Sequence, residues 1–325
     1  MRCLIIFVLT SALFAADPVR VIFDTDMGND VDDALALAEL HAFENRGDAN
    51  LLAVTVTKDN AWAPVFVDVL NTFYGRPQIP IGMVKDGKTT DDGNYTRPVS
   101  AMYPHALQPG KALPDAVLLL RKTLAAQPDA SVVIVQVGFS TNLARLLDSG
   151  PDDASPLNGR DLAARKVRLL SIMGGDFRAG HQTEYNIRID VPAAQKLFRE
   201  WPGPIVVSAF DIGESIKYPA HNIAADFQWT GHHPVADAYR AYRKMPYDEP
   251  LWDPTAMLYA VRPAYFSLSE PGTISVDEKG ATIFTPTPNG NRRYLIVNDE
   301  QRARIREAIS MLVSEPPPAR ANAPQ

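Results

Sequence analysis

The sequence predicts an α/β fold: a single domain with a mostly parallel central sheet flanked by helices, plus a small antiparallel excursion near the C-terminus. Three observations carry that expectation. Short apolar runs alternate along the chain with helical patterns, and strand, helix, strand repeated many times over builds parallel pairs with helical crossovers. The stretch 34–42 is rich in Ala and Leu and has almost no polar face, so that helix needs a layer on either side. Polar and acidic residues gather directly after the apolar runs, at the strand ends where such sheets collect ligands.

In chain order, 19–23 reads as a short buried strand and 34–42 as the enclosed helix. Further strands are expected at 51–56, 132–137, 167–173 and 205–209. Helices are expected at 65–74, 116–126, 142–148 and 193–201. Beyond Asp253 a helix is expected to residue 261, β-like pieces at 272–297 form the antiparallel excursion, and 300–313 is the last helix. The folded domain is thus expected over 17–313, with a Pro- and Ala-rich disordered tail at 314–325.

The composition is that of an ordinary globular chain of 325 residues, 46% hydrophobic and 22% charged. A net charge of -6 and the lack of any Lys/Arg-rich run disfavour nucleic acid and anionic membranes as partners. Residues 1–16 carry Arg2, an apolar run and a pair of alanines before Asp17. That is the layout of a cleaved signal peptide, so a secreted or periplasmic location is expected. Cleavage removes Cys3, the single cysteine, and leaves no thiol for a disulfide, a zinc thiolate or a nucleophile. Cys3 precedes the apolar run, which also excludes lipidation after it.

The segment after the first strand, D-T-D-M-G-N-D-V-D-D, places Asp24, Asp26, Asp30, Asp32 and Asp33 within a few residues of one another. Capping of the next helix accounts for one or two of these acids. A hard cation with 6–8 oxygen ligands accounts for all of them. The spacing is not that of an EF-hand, because a loop starting at Asp24 meets Asn29 and Leu35 where Gly and Glu are required, and one starting at Asp26 meets Val31 and Leu37. The D-x-D opening also fits a metal-dependent phosphatase, although Gly28 stands where that motif has Thr.

Together with the A-L-A-L that follows it, this segment resembles the signature of the inosine/uridine-preferring nucleoside hydrolases, with two extra residues before the paired acids. The resemblance implies hydrolysis of the N-glycosidic bond of ribonucleosides to free base and ribose. It implies a calcium ion held by Asp26, Asp33, Asp253 and the carbonyl of Thr141, the last from G-F-S-T-N-L-A. Asp26 is implied as the base for the attacking water. Asp32, Asn60, Glu184 and Asn186 are implied as sugar contacts. A dimer or tetramer is implied as well.

Read on their own residues, Thr141 or Ser140 also suits a helix cap, Asp253 before Pro254 suits a helix start, and Glu184 and Asn186 suit a solvated loop. One departure stands out. Where the family resemblance calls for a His acid before the distant calcium Asp, this chain has Trp252, which either stacks on the base or lines the pocket. The absent His keeps a non-catalytic nucleoside- or sugar-binding protein as the rival, with the D-x-D phosphatase behind it. N-terminal sequencing of protein from its native host should begin near Asp17; a start at Met1 overturns the export reading.

Overall fold

Val21 and Phe23 point to one face of the first strand and Ile22 to the other, and all three are fully buried. Successive side chains of a strand alternate between faces, so a strand apolar throughout must be covered on both. The computed structural model, which describes residues 17–180 and 183–317, has that arrangement. One apolar cluster gathers Val21, Phe23, Val133 and Val135, and a second gathers Ile22, Val132 and Ile134. The expected signal segment, 1–16, lies outside the described residues.

The strands are β1 (Val19–Thr25), β2 (Ala49–Val56), β3 (Ile81–Met83), β4 (Val132–Gln136), β5 (Val167–Met173) and β6 (Ile205–Ser208), then β7 (Lys217–Tyr218), β8 (Glu249–Pro250), β9 (Ser267–Leu268), β10 (Gly272–Val276), β11 (Thr282–Pro286) and β12 (Arg292–Ile296). The main sheet runs β11-β10-β12-β6-β5-β4-β1-β2-β3, with β9 beside β12. From β12 to β3 every neighbouring pair is parallel. The excursion is antiparallel at β10–β11, β10–β12 and β9–β12. One detail differs from expectation: β12 lies parallel to β6 and so extends the main sheet. β7 and β8 form a separate antiparallel pair.

This strand order winds outward in both directions from β1 and β4. The crevice at their carboxyl ends is the switch point at which doubly wound sheets bind ligands.

The enclosed helix, Asp32–Asn45, is buried from Asp32 to Phe43. It packs against the helices Trp252–Val261 and Asp299–Val313 as well as against β2, which explains the missing polar face. Trp252–Val261 in turn lies on β5, so the residues just before it reach the same end of the sheet. A capping box at Asn298 and Gln301 starts the last helix. Where a disordered tail was expected, Ser314 accepts a hydrogen bond from the indole of Trp229 at 2.9 Å and Glu315 pairs with Arg46. Residues 318–325 lie outside the described residues. Among the described residues no helix is long and apolar enough to cross a membrane.

Leu37, fully buried in the middle of the enclosed helix, should cost about 2–5 kcal/mol of stability when changed to Ala. Urea unfolding measures this, and a loss below about 1 kcal/mol would contradict helix packing on both sides.

Candidate active site

β1 and β4 are neighbours, and the loops leaving them meet. Gly138, after β4, packs so closely on the first loop that a Cβ there would stand 2.5 Å from the backbone nitrogen of Asp26. Met27 and Val31 are buried and anchor the first loop from below. Gly28 has φ +111° and turns it, a conformation that side chains other than glycine's rarely adopt. A strap from residues 90–96 holds the loop from above. In that strap Tyr95 donates its hydroxyl to the carbonyl of Asp30 at 2.7 Å, and Gly93 lies against the carbonyl of Gly28.

The result is an acidic cluster. Carboxylate oxygens of Asp30, Asp32, Asp33 and Asp253 come within 4.8 Å of one another. At that distance two unit charges repel by roughly 3 kcal/mol at an effective dielectric constant of 20. Asp32, Asp33 and Asp253 are buried and Asp30 is half-buried. Burial first, and then the charges of their neighbours, hold Asp32, Asp33 and Asp253 well above the usual carboxylate range.

Some of these oxygens are satisfied. Asp32 Oδ2 accepts from the backbone N–H of Asp253 at 2.9 Å, and Asp33 Oδ1 accepts from the hydroxyl of Thr25. Asp32 Oδ1 and Asp33 Oδ2 are buried without a hydrogen-bond partner. Buried oxygen donors left over in an all-carboxylate group fit a hard divalent cation.

Asp26, implied as a ligand, stands beside this group rather than in it. Its Oδ2 accepts from the side-chain amide of Asn29, and its charge is felt at Asp33. Burial, with Asp30 adding to it, raises Asp26 as well.

At the cluster opens a cavity lined by Asp26, Asp30 and Asp253, and by Glu184, Asn186 and Trp252. Glu184 caps the short helix Tyr185–Ile189, accepting from the backbone of Asn186 and Ile187 as well as from that of Gly175. Asn186 donates to the carbonyl of Val137 at 2.7 Å. Both side chains are therefore held rigidly at the cavity wall rather than solvated in a loop. Trp252, also at the cavity, lies against Phe210, ring centroids 5.3 Å apart. Its indole N–H is already used, donating to the carbonyl of Phe210 at 3.0 Å.

Four implied site residues do not line the cavity: Asp32 and Asp33, which are fully buried in the acidic cluster, and Asn60 and Thr141. Asn60 accepts from the backbone of Trp62 and Ala63 at the start of the helix Ala63–Phe73, and its amide nitrogen donates to Asp92 and to the carbonyl of Thr90 in the strap. Thr141 opens the helix Thr141–Asp148, with its hydroxyl on Asp190 at 2.6 Å. Asp24 accepts from Thr55 and Asn142, and burial pushes it up to about 7.

Asp30, one of the acids that the sequence assigns to a cation but absent from the implied ligand set, joins the cluster, whereas Phe210 carries no role in the sequence although it follows a strand at the carboxyl edge of the sheet. The signal that finds Phe210 is its position just after β6.

Residues 21–311 match the inosine-uridine preferring nucleoside hydrolase family. The chain belongs to this family. As a nucleoside hydrolase it breaks the N-glycosidic bond of ribonucleosides, and the phosphatase and binding-protein readings give way. The chain is 28% identical over 285 residues to the pyrimidine-specific ribonucleoside hydrolase RihA of Citrobacter koseri, covering 77% of this chain and 81% of that protein. Its fold is similar to a plant nucleoside hydrolase, PpNRh1 (TM-score 0.69, 23% identity, 92% of this chain and 100% of that one). It is also similar to a purine-preferring ribonucleoside hydrolase from Gardnerella vaginalis (TM-score 0.69, 20% identity, 91% and 99%).

The raised carboxyls of this nucleoside hydrolase give a signed pH dependence. A carboxyl whose folded pKa lies above its unfolded value of about 3.9 contributes stability below that value and loses it as pH rises through the folded pKa. A cation that replaces those protons binds more tightly as pH rises. Calcium added to chelator-treated protein should therefore raise the thermal midpoint more at pH 8 than at pH 5.5. An equal or larger rise at pH 5.5 contradicts the cluster as the binding site.

Proposed function

We propose that this nucleoside hydrolase uses calcium, held in the acidic cluster, and Asp26 as general base to release free base and ribose from ribonucleosides. The observation that carries the reading is one cavity lined together by buried carboxylates, rigidly held hydrogen-bonding groups and an aromatic pair. Asp33 and Asp253 belong both to the implied ligand set and to the observed cluster. Asp26, Asp30 and the Thr141 carbonyl come within the oxygen count that calcium takes. The ion's contribution is positive charge that keeps these carboxylates ionised and draws sugar and water oxygens toward them.

The residues of the chain do the rest. Glycosidic cleavage leaves an electron-poor ribosyl group that water must attack from the face opposite the base. Asp26, with Oδ2 engaged by Asn29, has a second oxygen to take the proton of that water. Asp32, Glu184 and Asn186 supply donors and acceptors for the ribose hydroxyls, and fixing the sugar there converts the attack into an oriented, effectively unimolecular step. Trp252 offers a ring face to the departing base. It offers no acidic proton, and its N–H is already committed to Phe210. Departure then depends on how well the base leaves unaided. Secretion or periplasmic export by residues 1–16 is part of the same proposal, with nucleosides outside the cytoplasm as substrates.

Two results test this. Asp26→Asn should lower kcat about 100- to 10,000-fold, the usual worth of a general base, while ribonucleoside binding persists. Nitrophenyl riboside, whose leaving group needs no protonation, should be cleaved far faster than uridine by the wild type, and Trp252→His should narrow the ratio. Comparable wild-type rates on the two substrates would mean that another residue supplies the acid.

A further inference from the structure

Lys58 follows β2 and is completely buried, although its charge is that of a residue rarely found inside a protein unless paired. It does not line the cavity. Its ammonium donates to Asn29 Oδ1 at 2.7 Å, and the other end of the same amide donates to Asp26 Oδ2. A primary amide can accept at one end and donate at the other, and a carboxylate in its place would face Asp26 with like charge. A cation on the amide oxygen polarises the amide and strengthens the donor at its far end.

We propose that Lys58 is a positioning residue for the general base: it holds Asn29, and Asn29 holds the Asp26 carboxylate in its working orientation. The inference rests on Asp26 being that base. Simple compensation of the acidic cluster is a weaker account of Lys58. Its charge does act on Asp26, Asp30 and Asp33, but a bound divalent cation would do that work better. Compensation also gives Asn29 no part. The relay explains both the direction of the lysine and the identity of the residue it meets. Lys58 touches neither substrate nor the reacting atoms and acts only through orientation.

The test is a double-mutant cycle with Lys58→Met and Asn29→Ala, measuring kcat and KM on a ribonucleoside at saturating calcium. Each single variant should lose about 10- to 100-fold in kcat, the scale of a misoriented catalytic group, with KM little changed in Lys58→Met. The double variant should be no slower than the slower single. Losses that multiply, or an Asn29→Ala enzyme with wild-type kcat, overturn the relay.

Should Lys58→Met fail to fold, Asn29→Asp decides. It keeps an acceptor for Lys58 but removes the donor to Asp26, and should lose as much kcat as Asn29→Ala; wild-type kcat in Asn29→Asp overturns the relay. Wild-type protein that turns over no ribonucleoside overturns the parent reading and the relay with it. An active wild type whose Lys58 and Asn29 variants match it overturns the relay alone.

Discussion

The structure is organised around the burial of mutually repelling carboxylates at the crevice between β1 and β4. Left to themselves, Asp30, Asp32, Asp33 and Asp253 would push that crevice open. The fold answers with rigid surroundings. Gly138 closes on Asp26 from one side, the strap of residues 90–96 presses on Gly28 from the other, and the backbone of Asp253 donates into Asp32. Each of these comes from a different part of the chain. The doubly wound strand order is what brings them to one point.

Much of this was legible in the sequence. The strands at the sheet centre are apolar on both faces, and the stretch 34–42 of the helix Asp32–Asn45 has almost no polar face, so their patterns admit few other readings. Other elements gave little signal. β3 has three residues at an edge of the sheet, too few for a period. The helix Gly159–Lys166 buries only Gly159, Leu162 and Ala163, too little for an apolar stripe. The direction of β12 depends on which strand it meets, which no local pattern encodes.

The site was legible in the same uneven way. Glu184, Asn186, Trp252 and Asp253 share a cavity with Asp26, as their positions after strands or at a helix start implied. Asn60 is turned instead to capping a helix and tying down the strap, a role fixed by Asp92, more than thirty residues further along the chain. Asp30 joins the cluster because Tyr95 holds its carbonyl. Contacts of that span are set by tertiary packing, and motif spacing is silent about them.

The hydrogen bond from Asp253 to Asp32 bridges 221 positions of sequence. A nascent chain carries the first acids of the cluster long before the last one is made, and the segment that supplies it must also dock its helix on β5. A partly synthesised chain therefore presents a loose acidic loop rather than a coordination site. Selection among cations is deferred until the polypeptide is nearly whole, and it is the ionic composition of the surroundings in which folding finishes, rather than of those in which synthesis begins, that decides what the cluster captures.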